Sequence, residues 1–425
     1  MPNLWRKGLL VVVLALAVLL IGNGDYRPSA LDLAVAGYRY SAVGWEVSHL
    51  PDKWVHNLWD LMPWTSEPSP EERIAQVVEF FDIIREVNDL ERLVLFPESS
   101  TGAGLSQDQV RQMTADIDRL KKQRRAIQGE VEQTIESEIS AVLAQEGLAS
   151  RIGLIFPPVD AVFTGSPSVL VLSPRDRIDR MDTVLLKPGL DDRVREQIED
   201  TMFREANLAA LVESTGGVAT YPSVVADRFG LRFAVTTAAH EWLHQWFFFR
   251  PLGQHFWDSD DMTTLNETAA TLGGKEIGDR VYTAITGEKV DRSSNDASTP
   301  APGEFDFDAE MRETRLRTEE LLSQGRIEEA EAYMEERRLL MVANGHYIRK
   351  INQAFFAFHG SYAANAASIS PINGQLEQLR DRSGTLEDFL KTVAGFGSYG
   401  EFLGYLEAGT GTGSRAPTGK EVKGS

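Results

Sequence analysis

The sequence predicts a mainly helical α+β protein, and three observations carry that prediction. The run from Arg232 to Phe249 is apolar and free of Gly and Pro, so it reads as a buried helix that Pro251 stops. Ahead of it lie short β-rich runs separated by Pro and Gly, which read as a small sheet. Two charged stretches, 70–148 and 305–340, carry apolar residues at three- and four-residue spacing, the period of amphipathic helices.

Composition narrows the field. The 425 residues suffice for two or three domains, and 42% apolar content supports a real core. A formal net charge of −20 repels a phosphate backbone and argues against a nucleic-acid partner. There is no cysteine, which excludes disulfides, thiol catalysis and iron–sulfur sites. Any zinc must therefore sit on histidine and carboxylate.

Taken in order, the chain opens on Arg6 and Lys7 before an apolar run from Gly8 to Gly22. This reads as a secretory signal or as an uncleaved signal anchor over 1–24. No small-x-small cleavage site follows Ile21, which favours the anchor. The basic pair would keep the N-terminus cytoplasmic and place the rest outside the membrane, secreted if the segment is cleaved. Residues 30–64 are rich in Trp and Tyr, and His49 and His56 among them read as structural. Residues 25–150 form a helical region. Ser69-Pro70-Glu71-Glu72 reads as a capping box with Pro at the first helical position, followed by the face Ile74, Val77, Val78, Phe81, Ile84. Ser106 with Gln109 opens a second helix running to about Leu148, its apolar seam interrupted at Arg124. Together they predict a helical hairpin, either packed on the next domain or offering a surface to a protein partner.

A catalytic domain is expected over 151–408. Strands are predicted at Gly153–Phe156, Ser168–Leu172, Thr183–Leu186 and Gly216–Tyr221, with a helix at Asp191–Glu213. The Gly/Ser/Asp-rich stretch 286–304 marks a loop, and Met311–Gln324 with Ile327–Leu340 predicts a helical hairpin about Gly325. The segment 287–343 is read as an insertion. Helices follow at Ile348–Phe358 and, capped by Thr385, at Leu386–Val393, and 409–425 reads as a disordered tail.

The chemistry centres on His240-Glu241-Trp242-Leu243-His244. Residues four apart lie one turn apart on one helix face, so both imidazoles can reach one Zn²⁺. Glu241 can then contact a metal-activated water. A catalytic zinc needs a third protein ligand and an open position. The places where a third-histidine pattern would continue hold Phe247 and Arg250, so that pattern fails. Further on lies Leu265-Asn266-Glu267-Thr268-Ala269-Ala270. Asp258, Asp260 and Asp261 are rival third ligands, in a loop that looks solvated or calcium-binding. His240 and His244 as ordinary core histidines remain the bland alternative, as does a non-catalytic zinc site.

This arrangement resembles the gluzincin zinc peptidases, in which HExxH is followed on the next helix by an Asn-Glu-x-x-Ala-like element. The resemblance covers about 150–285 and 345–408. It implies a zincin-like domain with His240, His244 and Glu267 as ligands of one Zn²⁺ and Glu241 as general base. It also implies a peptide or protein substrate, with endo- or exopeptidase action open. Many gluzincins carry an Asp four residues after the ligand Glu to support the first His; here Thr271 stands there, a weaker partner. The oxyanion donor in such enzymes is a downstream Tyr or His, for which the candidates are His346, Tyr347, His359 and Tyr362, with Tyr362 favoured and His359 next. Gly216–Tyr221 is the candidate edge strand for an extended peptide. Two readings from other classes stand beside this one: a scaffold protein with structural zinc, and a zinc hydrolase of non-peptide amides.

Overall fold

The computed structural model describes residues 28–48, 68–95, 105–290 and 304–409. The protein is mainly helical, with two small three-stranded sheets. The first sheet has the order β1 (Ala161–Thr164), β6 (Ser223–Ala226), β5 (Gly217–Val218). Strand β6 runs parallel to β1 and antiparallel to β5, which leaves β5 at an edge. The second sheet is antiparallel, with β2 (Ser168–Pro174) between β3 (Asp182–Leu186) and β4 (Leu208–Ser214).

Two central helices carry the site. One spans Leu231–Phe248 and is called the histidine helix below; the other spans Asp260–Thr286 and is called the glutamate helix. They cross closely because the glutamate helix is small where they meet. A Cβ added at Gly274 would lie 3.0 Å from His240 backbone atoms, and one at Gly278 would lie 2.6 Å from Thr236 Cα. Glycine inside a helix costs about 1 kcal/mol relative to alanine, and here that cost is offset by close packing of the two backbones. Gly278→Val is therefore expected to destabilise the fold by about 3 kcal/mol, at the upper end for overpacking. Gly404→Ala, where nothing lies within 4 Å, should be neutral or slightly stabilising. Urea unfolding of the two variants checks the contrast; equal midpoints would refute the close crossing.

The predicted first hairpin forms from helices Pro70–Leu95 and Gln107–Gln145. Both capping boxes are present: Ser69 N–H donates to Glu72 at 2.7 Å, and Ser106 and Gln109 exchange the equivalent bonds. The hairpin is knitted into the central core, where Val77, Phe80, Phe81, Val131, Ile135 and Ile139 share one cluster with Trp242 and Leu243. It also closes the open side of β1: Glu132 accepts from Phe163 N–H at 2.8 Å and Glu136 from Ala161 N–H at 2.9 Å. Arg124, the break in the apolar seam, forms an ion pair with Asp227 at 2.9 Å.

Several local expectations are corrected. Gly153–Phe156 is a turn, not a strand; Gly153 has φ +79° and donates to Ser150 O at 2.9 Å. The predicted helix Asp191–Glu213 divides into a helix, Asp192–Ala206, and strand β4. Asn207 adopts the left-handed conformation (φ 53°) and ends the helix. Leu208–Ser214 then pairs with β2, from Ser168 opposite Ser214 to Pro174 opposite Leu208. Of Gly216–Tyr221, only Gly217–Val218 is strand. The helix expected from Ile348 begins at Gln353, capped by Asn352, whose side chain accepts from Phe355 N–H. The preceding residues run along β4 instead, because Arg349 and Lys350 pair with the buried Glu199 and Asn352 donates to Ala210 O. The hairpin about Gly325 forms as Phe307–Ser323 and Ile327–Ala343, with Leu321, Leu322 and Ala330 packed together. Its Met311, Met334 and Met341 pack under β2 and the Gln353–His359 helix.

The expected membrane anchor is also corrected. Among the described residues no helix is long and apolar enough to cross a membrane. Even the most apolar long helix, Leu231–Phe248, carries Arg232, His240, Glu241 and His244 and is packed inside protein. The membrane-anchored, extracytoplasmic placement derived from that anchor is withdrawn with it. The segment 1–24 itself, the tail from 410 onward, and His49 and His56 lie outside the described residues.

Candidate metal centre

His240 and His244 project from one face of the histidine helix, with their Nε2 atoms 2.9 Å apart. Glu267, from the second turn of the glutamate helix, brings Oε2 to 3.6 Å from His240 Nε2 and 3.4 Å from His244 Nε2. These three atoms form the one cluster of potential metal ligands among the described residues. Three ligand atoms from two helices make a two-histidine, one-carboxylate set that could hold a metal ion. Glu267 Oε2 is buried and has no hydrogen-bond partner. A buried carboxylate oxygen without a donor is costly, and a cation among the three ligands removes that cost. The residues present therefore fit a metal.

The electrostatics agree. Burial opposes the charge on Glu267, but His244 and His240 outweigh it and hold the carboxyl far below its usual range. Burial likewise opposes a charged His244, yet Glu267, Glu241 and Asn266 push it up to about 9. The cluster is thus a strong trap for positive charge, proton or metal. Asn266 fixes the ring of His244. Its Oδ1 lies 2.8 Å from His244 Nδ1, while its own amide donates to Leu252 O at 3.3 Å. With the amide oriented this way, Nδ1–H donates and Nε2 keeps its lone pair for a metal.

Glu241, next to His240 in the chain, lines the same cavity and is buried against β5. A Cβ at Gly217 would stand 2.6 Å from Glu241 Oε1. Glycine at 217 thus lets the edge strand lie directly over this carboxylate. Burial, and to a lesser extent the Glu267 charge, raises the Glu241 carboxyl above its ordinary range against the pull of His240 and His244. A raised carboxyl suits a proton acceptor that must also give the proton back.

All of these groups open on one cavity of about 1370 Å³. Tyr362 and His359 both line it, so both downstream candidates reach the site's cavity. Burial, together with the Glu267 and Glu241 charges, holds the Tyr362 phenol well above its usual range, so it stays protonated and able to donate. Burial pushes His359 down to about 4, so at neutral pH it is an uncharged imidazole, tilted against the Phe355 ring with centres 4.4 Å apart. Of the two, Tyr362 has the charge environment of a donor beside the cluster.

The other candidates are placed elsewhere. His346 stacks on Phe307 at 4.6 Å, and Tyr347 is exposed. Asp258 pairs with His255 at 2.6 Å, and Asp260 and Asp261 occupy the first turn of the glutamate helix. Thr271 does not orient His240; its hydroxyl donates to Glu267 O of its own helix at 2.8 Å. Asn266 and Gly217 fall within motifs quoted from the sequence, the Asn-Glu-x-x-Ala element and the Gly216–Tyr221 strand, without a role of their own, and the Gly274/Gly278 crossing is not anticipated there. The in-helix glycines and the polar residue before Glu267 were the available signals.

Comparison with protein-family models, curated proteins and solved structures returned no match for this chain. The centre is accordingly defined by its own residues: two histidines and a glutamate converging within 4.8 Å of one another, with a buried glutamate under an edge strand.

Proposed function

We propose that this chain is a zinc-dependent peptidase of the gluzincin type, with a zincin-like domain built on the two central helices. The observation that carries the reading is the convergence of His240 Nε2, His244 Nε2 and Glu267 Oε2 on one point of a cavity whose wall also holds Glu241. His240, His244 and Glu267 would hold the metal. When bound, Zn²⁺ supplies Lewis acidity, lowering the pKa of a coordinated water towards ~7 and polarising the scissile carbonyl.

The chain's own residues supply the rest. Glu241 accepts the proton of the attacking water and returns it to the leaving amine. Tyr362, kept protonated, donates to the oxygen on which negative charge develops. Strand β5 offers its free edge inside the cavity, directly above Glu241, for an extended peptide to pair with. The cavity is lined by the exposed rings of Phe156, Phe249 and Trp257 and the half-buried Phe256, with Phe156 and Phe249 5.2 Å apart and Phe256 and Trp257 4.6 Å apart. Such walls favour substrates with large apolar side chains.

The test is incubation of the zinc-loaded chain with a defined peptide mixture and with non-peptide amides. Cleavage at peptide bonds, abolished by a chelator, supports the reading. Zinc bound tightly with no peptide cleaved would sink it. Within this mechanism, Tyr362→Phe is expected to lower kcat by about 10²–10³, the usual cost of one oxyanion donor. KM and zinc content should change little; an unaltered kcat would remove Tyr362 from the chemistry.

A further inference from the structure

We propose that Arg180 is a carboxylate-recognising residue of this cavity, and that the preferred substrate carries an anionic group that the guanidinium binds. The inference rests on the peptidase reading for the word substrate, but its geometry stands independently.

Arg180 lines the same cavity as the metal cluster and lies near the Tyr362 phenol. Its side chain is held from two directions. Nε donates to Thr183 Oγ1 at 2.9 Å, and the guanidinium carbon sits 5.8 Å from the centre of the Phe358 ring. Thr183 and Phe358 also line the cavity, so the guanidinium is fixed within its wall. The Nη1 and Nη2 edge of the fork makes no hydrogen bond or ion pair among the described residues.

Several half-buried arginines of this chain are neutralised by carboxylates: Arg175 by Glu331 at 2.7 Å, Arg349 by Glu199 at 2.5 Å, Arg380 by Glu276 at 2.6 Å. Arg250 is not, but its guanidinium donates to the Trp246 carbonyl and lies over the Trp246 ring. Acidic groups are plentiful, with 63 Asp and Glu against 43 Lys and Arg. Asp260 is near enough to interact with Arg180 through its charge, yet among the described residues no carboxylate forms an ion pair with it. A guanidinium anchored at Nε and lying beside an aromatic ring presents the remaining planar fork for bidentate binding of a carboxylate. Lys275, also on the cavity wall, is exposed and lacks this fixed geometry.

The carboxylate can come from a peptide C-terminus or from an acidic side chain, and one experiment separates them. Zinc-loaded Glu241→Gln protein, which should bind without turnover, is titrated calorimetrically with N-acetyl-Phe-Gly-Phe-Phe as free acid and as amide. A second pair, N-acetyl-Phe-Gly-Glu-Phe amide and its Gln counterpart, tests the side chain. The expected result is about ten-fold tighter binding of the charged member in one pair. Arg180→Met in the same background removes that difference. Arg180→Gln, which can still bond Thr183, removes it as well, and Arg180→Lys keeps part of it. Equal affinities within both pairs, or a preference that survives Arg180→Met, would overturn the proposal. Failure of the peptidase reading is seen separately, as a carboxylate preference in binding with no cleavage of any of these peptides by the wild-type chain.

Discussion

Glu241→Gln is expected to lower kcat for peptide hydrolysis by about 10³, within the range for loss of a positioned general base. The substitution keeps shape and volume, which matters because β5 leaves no room: Glu241 Oε1 is 2.6 Å from where a Cβ on Gly217 would stand. It removes the proton acceptor while leaving His240, His244 and Glu267 in place. Zinc content should therefore stay at the wild-type value, and unfolding should shift little or towards greater stability, because a buried carboxylate becomes a neutral amide. A variant that keeps zinc and full activity would show that another group takes the proton. One that loses zinc would show that Glu241 acts as a ligand.

Glu267→Gln is expected to weaken zinc binding by at least about 100-fold, more than the 10–100-fold typical when a residue that only orients a ligand is lost. Asn266→Ala, which frees His244 Nδ1 from its 2.8 Å partner, should fall inside that smaller range. The pH dependence separates the two variants further. In the wild-type chain the Glu267 charge helps push His244 up to about 9, so at neutral pH a proton must leave before Nε2 can bind a metal. Apparent affinity should then rise about tenfold per pH unit and level off near pH 9. Glu267→Gln removes the charge that favours the imidazolium, so the levelling should move to lower pH. Competition with a chromophoric chelator across pH 6 to 10 checks both effects. An affinity independent of pH in the wild-type chain would contradict the charge coupling of His244 and Glu267.

Much of this centre was legible in the sequence because its spacing is local. His240 and His244 must share a face of any helix that contains them, and the apolar run around them made that helix secure. Glu267 was reachable because one short connection separates the two helices. The capping boxes at Ser69 and Ser106 were legible for the same reason, being bonds between residues three apart. What was not legible depended on distant partners. Leu208–Ser214 reads as well as helix as it does as strand, and only the ladder with β2 decides it. Arg349 and Lys350 leave the helical path for Glu199, 150 positions away for Arg349. Thr271 had a plausible role by position, but its hydroxyl found a nearer carbonyl in its own helix. The tolerance of Gly217, Gly274 and Gly278 for close backbone contact shows only once the opposing element is in place.

The central claim is that His240, His244 and Glu267 hold a single zinc that keeps a coordination position open to the cavity. Crystals of the zinc-loaded chain, measured at the zinc absorption edge, test it most directly. One anomalous peak per chain is expected, within bonding distance of the two Nε2 atoms and a Glu267 oxygen, facing Glu241 with no fourth protein ligand. A peak at any other site, a fourth protein ligand closing the coordination, or no peak at all would contradict it.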